Sequence, residues 1–164
     1  MRLDGIDVHF YHLRGTVPGR RPLILTHGWP GSVVEFLPVM ERLAHPDRFG
    51  GLPEDSFDVI VPSLPGYGFS SRPPFPIGPR RVAALWRRLM VECLGYPSFF
   101  AQGGDWGAAV TCWLGADHED VVDAIHVNLF LGAASHDRSD EAEAWRRQIQ
   151  EARLAGGFKV IDLI

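Results

Sequence analysis

Apolar positions along this chain follow two rhythms. Leu23-Ile24-Leu25-Thr26 and Phe57-Asp58-Val59-Ile60-Val61 are short, nearly continuous apolar runs, which suit strands buried on both faces. Val8 to Leu13 is rich in β-branched and aromatic residues and reads as a strand, as do Ser98 to Ala101 and Ala124 to Val127. Between them the period lengthens to that of a helix. Pro79 to Leu94 places Val82, Leu85, Trp86, Leu89 and Cys93 on one face and Arg80, Arg87 and Arg88 on the other, with Gly95 set to end it. Val33 to Leu43 reads as a helix whose true start Pro38 could mark. Ala108 to Leu114 reads as a third helix. Ser139 to Leu154 reads as a fourth, with Ala142, Trp145, Ile149 and Ala152 on one face and Gly156-Gly157 as its stop.

Strands alternating with helices predict an α/β fold with a mostly parallel sheet covered on both faces. About five strands are visible, so the sheet is expected to be incomplete at its C-terminal side. No internal repeat of solenoid period is present.

Composition narrows the classes of partner. The chain has 164 residues, 46% of them hydrophobic and 22% charged, with a formal net charge of −4. That is enough chain for one domain with a substantial core. No basic block suggests nucleic acid; Arg80-Arg81 and Arg87-Arg88 fit a solvated helix face. Cys93 and Cys112 set neither disulfide nor metal spacing and fit a reducing compartment. No metal or cofactor is expected. The N-terminus has no apolar signal core, and no run has the length of a membrane span. The expectation is a soluble, cytoplasmic protein.

The candidate chemistry sits in three loops at strand ends: His27–Ser32, Pro62–Ser70 and Gly103–Gly107. In a parallel sheet such ends share one edge and can line one pocket. Gly103-Gly104-Asp105-Trp106-Gly107, between a strand and a helix, has the small–x–acid–x–small form of a nucleophile elbow, with Asp105 in the nucleophile's place. Taken alone, Gly-Gly-Asp also reads as an ordinary turn. An elbow aims backbone N–H groups at its nucleophile: Trp106 follows Asp105, and Trp29 lies in the loop after an earlier strand. Two such donors make an oxyanion hole. A carboxylate nucleophile suits an sp³ carbon, because displacement there leaves an ester that water can hydrolyse, whereas Ser would leave a stable ether. Hydrolysis of that ester needs a base, normally His oriented by a carboxylate. The remaining histidines read as packed or solvated: His9 and His12 on opposite faces of one strand, His45, His118 and His136 solvated, and His126 packed or hydrogen-bonded.

His27-Gly28-Trp29-Pro30-Gly31-Ser32, Pro65-Gly66-Tyr67-Gly68-Phe69-Ser70 and Gly103-Gly104-Asp105-Trp106-Gly107-Ala108 together resemble the α/β-hydrolase epoxide hydrolases. The nearest likeness is to the microsomal-type branch that includes the juvenile hormone epoxide hydrolases. Gly5-Ile6-Asp7-Val8-His9-Phe10 resembles the same branch, and the likeness runs from about residue 5 to about 135. It implies epoxide hydrolysis to a vicinal diol through an alkyl-enzyme ester on Asp105. Trp29 and Trp106 would be backbone oxyanion donors, and His27, Gly28, Pro30, Gly104 and Gly107 would shape the site. His27 is not the family's base, nor Tyr67 its epoxide-polarising tyrosine. The implied partners are a small epoxide and water.

The resemblance also places a lid after the strand ending near Asn128, with lid tyrosines, an acid and a catalytic His further on. Residues 1–135 are therefore expected to be the N-terminal part of the core and 136–164 the truncated start of the lid. On this reading the chain is an inactive fragment that self-associates through an exposed sheet edge. Two other readings are a haloalkane dehalogenase-like hydrolase, against which Asn128 argues mildly, and a non-catalytic truncated α/β-hydrolase-fold protein.

Overall fold

The computed structural model describes residues 1–129 and Arg147. The expected helix over 139–154, its Gly156-Gly157 stop, His136 and the boundary at residue 135 lie outside the described residues.

An antiparallel hairpin opens the chain, with β1 over Arg2–Leu3 and β2 over Ile6–Asp7. Its turn is Asp4-Gly5, both at positive φ, as a two-residue hairpin turn requires. β3 covers Phe10–Leu13 and β4 covers Pro22–Thr26, every residue of β4 being buried. Val8 and His9, expected in the first strand, precede it. A 3₁₀ turn at Val33–Phe36 leads into α1, Leu37–Ala44. Pro38 occupies the first turn of α1, where its missing N–H costs no helical bond. The stretch expected to be plain loop between α1 and the next strand contains 3₁₀ turns at Pro46–Phe49 and Pro53–Asp55.

β5 spans Asp58–Pro62, one residue later than the apolar run suggested. α2 covers Pro79–Arg88, and its expected last turn is π-helical over Leu89–Cys93. Val82, Leu85, Trp86 and Leu89 are buried and Cys93 is half-buried, as the periodicity predicts. β6 is Phe99–Gly103, α3 is Trp106–Asp117 and β7 is Val122–Val127.

The main sheet has the order β3-β5-β4-β6-β7. β4 pairs in parallel with β5 and β6, and β6 with β7; only β3 is antiparallel, running Phe10↔Pro62 to Leu13↔Val59 beside β5. Alternate residues of the central strands feed two cores. Ile24, Ile60, Phe99 and Ala101 pack with Val82, Leu85, Trp86 and Leu89 of α2 and Val110 and Leu114 of α3. Leu23, Leu25, Val59 and Val61 pack with Met40 and Ala44 of α1. On this second face an open groove of about 890 Å³ runs beside α1, lined by Leu25, Phe36, Val39, Leu43, Phe100 and Ile125 among others. Asp123 to His126 of β7 are exposed. Among the described residues no helix is long and apolar enough to cross a membrane.

Candidate active site

Parallel pairing sets the C-terminal ends of β4 and β6 side by side, Thr26 opposite Gly103. The loops that leave those ends, His27–Ser32 and Gly103–Gly107, therefore meet although they lie far apart in sequence. The loop after β5 leaves the same edge, because β5 is also parallel to β4.

Asp105 is the residue between β6 and α3. Its φ of 53° and ψ of −123° lie where side chains other than glycine's are strained. This bend turns the chain straight from strand into helix and leaves the Asp105 side chain half-buried at the sheet edge. Close approach on both sides depends on glycine. A Cβ on Gly28 would lie 2.5 Å from the Asp105 Cβ, and one on Gly107 would collide with the Thr26 carbonyl of β4. A substituent on Gly104 would meet the Asn128 amide, which follows β7.

The Trp29 N–H donates to Asp105 Oδ1 at 2.8 Å. Among the described residues no hydrogen bond is made by Oδ2, and none is donated by the Trp106 N–H at the first turn of α3. Among the described residues the carboxylate thus has one oxygen held and one without a partner. The Trp29–Pro30 peptide is cis. Trp29 and Trp106 are both exposed.

His27 is fully buried. Its Nε2 accepts from the Leu64 N–H at 3.0 Å, and its Nδ1 lies 3.0 Å from the Gly28 carbonyl. The Tyr67 ring meets it edge-on at 5.4 Å. Leu64 and Tyr67 belong to the loop after β5, so the second glycine-rich loop supports the first. That loop is tied in turn to the N-terminal segment. The His9 N–H donates to Ser70 Oγ at 3.0 Å, Ser70 Oγ donates to the Ser63 carbonyl at 2.7 Å, and His9 Nδ1 lies 3.0 Å from Ser63 Oγ. The sequence signals only that these residues are polar; the two bonds that reach His9 cross 54 and 61 positions and have no local signature.

The other histidines stand away from Asp105. His12 contacts the Tyr96 hydroxyl at 2.9 Å, and His45 contacts Thr16 at 3.1 Å. His126, expected to be packed or hydrogen-bonded, is exposed on β7, and among the described residues its side chain makes no hydrogen bond. β7 is the last strand of the described sheet, and a residue there has a neighbouring strand on one side only.

Three titratable groups with shifted pKa values, Asp58, Tyr96 and His12, meet away from the Asp105 site. Asp58 opens β5, so it lies at the end opposite Asp105. Its side chain is fully buried. It accepts from Tyr96 Oη at 2.6 Å, from the Gly15 and Gly19 N–H groups at 2.8 and 2.9 Å, and from Arg14 at 3.0 Å. Burial alone pushes this carboxyl up, but the donors together outweigh it and hold it below the ordinary carboxylate range. Burial, reinforced by Asp58, pushes the Tyr96 phenol well above its usual value. Burial and then the Arg14 charge lower the His12 imidazole. This network staples the loop before β4 to the sheet and takes no part in the Asp105 site.

Comparison with known proteins agrees with this geometry. An α/β-hydrolase fold family model matches residues 21–152, and an epoxide hydrolase N-terminus model matches residues 1–36. A Stigmatella aurantiaca relative named as an epoxide hydrolase is 47% identical over 131 residues, 79% of this chain and 30% of its own length. Epoxide hydrolase 1 of Oryctolagus cuniculus is 38% identical over 142 residues, 82% of this chain and 30% of its own. The crystal structure of juvenile hormone epoxide hydrolase from the silkworm Bombyx mori superposes with a TM-score of 0.67 at 32% identity, covering 78% of this chain and 34% of that one. The chain thus spans about 30% of the length of these two sequence relatives.

Proposed function

Because the chain belongs to the α/β-hydrolase fold family, in its epoxide hydrolase branch, we propose that Asp105 is the nucleophile of epoxide hydrolysis to a vicinal diol. One observation carries this reading: a carboxylate stands on a strained strand-to-helix bend with Oδ1 held by a backbone N–H and Oδ2 without a partner among the described residues.

In the first step Oδ2 attacks one ring carbon from behind. The carbon–oxygen ring bond breaks, and the ring oxygen leaves as an alkoxide that takes up a proton. Asp105 is then an ester whose carbonyl oxygen is Oδ1. In the second step water adds to that carbonyl carbon and negative charge gathers on Oδ1. The Trp29 N–H is already aimed there, and the Trp106 N–H, at the N-terminus of α3, is the second donor on this reading. Collapse releases the diol and restores the carboxylate with an oxygen from water. His27, Gly28 and Pro30 shape the first loop, and Gly104 and Gly107 the second. The base that activates water is assigned to none of the described residues. Small epoxides and water are the proposed partners.

The test is covalent. The 164-residue chain is incubated with an aryl epoxide, and the peptide containing residue 105 is weighed by mass spectrometry, with diol and halide release followed in parallel using the matching alkyl halide. The expected result is an adduct of the epoxide's mass on Asp105 that is absent in Asp105→Ala. An adduct that persists in Asp105→Ala refutes the assignment, and halide release without reaction of the epoxide favours a dehalogenase.

A further inference from the structure

His27 is a buried polar side chain, two residues before Trp29, that the proposed reaction leaves without a chemical step. It is 1% exposed and has one hydrogen-bond partner at each ring nitrogen. The partner at Nε2 is the Leu64 N–H, which can only donate, so Nε2 is an acceptor without a proton. The partner at Nδ1 is the Gly28 carbonyl, which can only accept, so Nδ1 carries the proton. The two contacts select one neutral tautomer. The opposite tautomer would set Nε2–H against the Leu64 N–H and a ring lone pair against the Gly28 oxygen, at a side chain buried away from bulk solvent.

The Gly28 carbonyl and the Trp29 N–H belong to one peptide unit. That peptide is trans, since the cis bond of this loop is the next one, Trp29–Pro30. A trans peptide is planar, and its C=O and N–H point in opposite directions. Here one end is gripped by His27 Nδ1–H and the other donates to Asp105 Oδ1 at 2.8 Å. Rotating the plane so that the N–H leaves the carboxylate also breaks the bond to His27.

We infer that His27 is a positioning residue: its Nδ1–H tautomer, selected by the Leu64 amide, fixes the Gly28–Trp29 peptide so that the Trp29 N–H is aimed at Asp105. The inference rests on the proposed role of Trp29 as an oxyanion donor. It also gives the loop after β5 a part in the site. No group of that loop hydrogen-bonds Asp105, yet its Leu64 amide decides which nitrogen of His27 bears the proton.

Two substitutions separate the halves of the device. The amide nitrogen of Asn reaches about the place of Nδ1, so His27→Asn keeps a donor for Gly28 and loses the acceptor for Leu64. The longer Gln side chain reaches about the place of Nε2, so His27→Gln keeps a group for Leu64 and loses the donor. In the ¹⁵N-labelled full chain near neutral pH, long-range ¹H–¹⁵N correlation of His27 is expected to show the Nδ1–H neutral pattern. An Nε2–H pattern or a doubly protonated ring overturns the inference, and this reading needs no variant to fold. The Trp29 amide proton is expected downfield in the wild type and in His27→Asn, and shifted upfield in His27→Gln and in the Asp105→Ala control. Equal displacement in Asn and Gln variants overturns it and leaves His27 a core residue.

Where the Asp105 ester forms, its hydrolysis is expected to slow on the order of 10²-fold in His27→Gln, the scale of a lost oxyanion donor, and less than about 10-fold in His27→Asn. The rate of ester formation at saturating epoxide is the comparison that normalises for occupancy. A wild type that forms no Asp105 ester, with the expected tautomer and Trp29 shifts, sinks Asp105 as the nucleophile and sustains the positioning role. A reactive wild type with an Nε2–H ring does the reverse.

Discussion

Trp29 and Asp105, 76 residues apart in the chain, are joined by a 2.8 Å hydrogen bond from the backbone of one to the carboxylate of the other. That bond exists because β4 and β6 are parallel neighbours, with Thr26 beside Gly103 at their C-terminal ends. It orients the carboxylate without occupying the second oxygen, which is the condition for a nucleophile that later becomes an ester carbonyl.

On the proposed role of Asp105, its bend sets function against stability. Its φ of 53° strains a residue with a Cβ, at a typical cost of about 1–3 kcal/mol. Asp105→Ala and Asp105→Gly both remove the carboxylate, but only glycine relieves the bend. After its greater freedom in the unfolded chain is set against this, Asp105→Gly is expected to be more stable than Asp105→Ala by about 1 kcal/mol. Equilibrium urea denaturation of the two variants checks it; equal midpoints would mean that the bend is unstrained.

Gly28→Ala and Gly107→Ala are expected to fail in different ways. The added methyl at 28 meets the Asp105 Cβ, which no rotation of that side chain moves, so the loop after β4 must shift at the sheet edge. That variant should keep its sheet, lose about 1–3 kcal/mol of stability, and lose ester formation as the Trp29 N–H and Asp105 are pushed apart. The methyl at 107 meets the Thr26 carbonyl of a fully buried strand, which has nowhere to move. It should cost about 3 kcal/mol or more and disturb the whole sheet. Circular dichroism melts paired with adduct formation at Asp105 distinguish the two patterns.

Acid stability should fall in two stages. His12 has a folded pKa below its ordinary value, because burial and then Arg14 disfavour its cation. Its contribution is present above about pH 6.5 and is lost as pH falls through the depressed folded value, where the unfolded chain binds the extra proton. Asp58 is also lowered, its hydrogen bonds from Tyr96, Gly15, Gly19 and Arg14 exceeding the burial that raises it. Its contribution is present above about pH 4 and is lost as pH falls further. Urea midpoints measured against pH should show both stages, with the upper one absent in His12→Phe.

Tyr96→Phe tests the same network from the other side. The phenol donates to a buried carboxylate, so its removal is expected to cost about 1–3 kcal/mol near neutral pH and to raise the Asp58 pKa. Tyr96 itself titrates far above its usual range when folded. Its contribution is whole below about pH 10 and declines as pH rises beyond that. The variant should therefore lose the wild type's alkaline decline while unfolding at a lower urea concentration throughout the neutral range.

Residue pattern alone determined the strands and helices and the residues that could be chemical. Leu23–Thr26 and the run to Val61 are apolar at every or nearly every position because both faces of their strands are covered, and that requirement is written locally. The same holds for the face of α2 and for Pro38, whose missing N–H is harmless only in a first turn. The opening hairpin is not among the elements the pattern predicts: Asp4-Gly5 is a turn dipeptide, but its strands are only two residues each and carry no periodicity. A glycine–acid–glycine bend after one strand, and a second glycine loop after another, name Asp105 and Trp29 as candidates because steric permission is a property of residue type.

Tertiary structure decided which candidates meet and in what state. The antiparallel placing of β3 beside β5, the order of the central strands and the π-helical last turn of α2 depend on packing partners that local periodicity does not encode. Asp58 looked like an interruption in an apolar run until Tyr96, Arg14 and two backbone N–H groups closed around it. His27 was legible as part of a loop, but the nitrogen that holds its proton was not. That is set by the Leu64 amide, 37 positions away, because a hydrogen bond constrains atoms brought together in space and carries no mark in the intervening sequence.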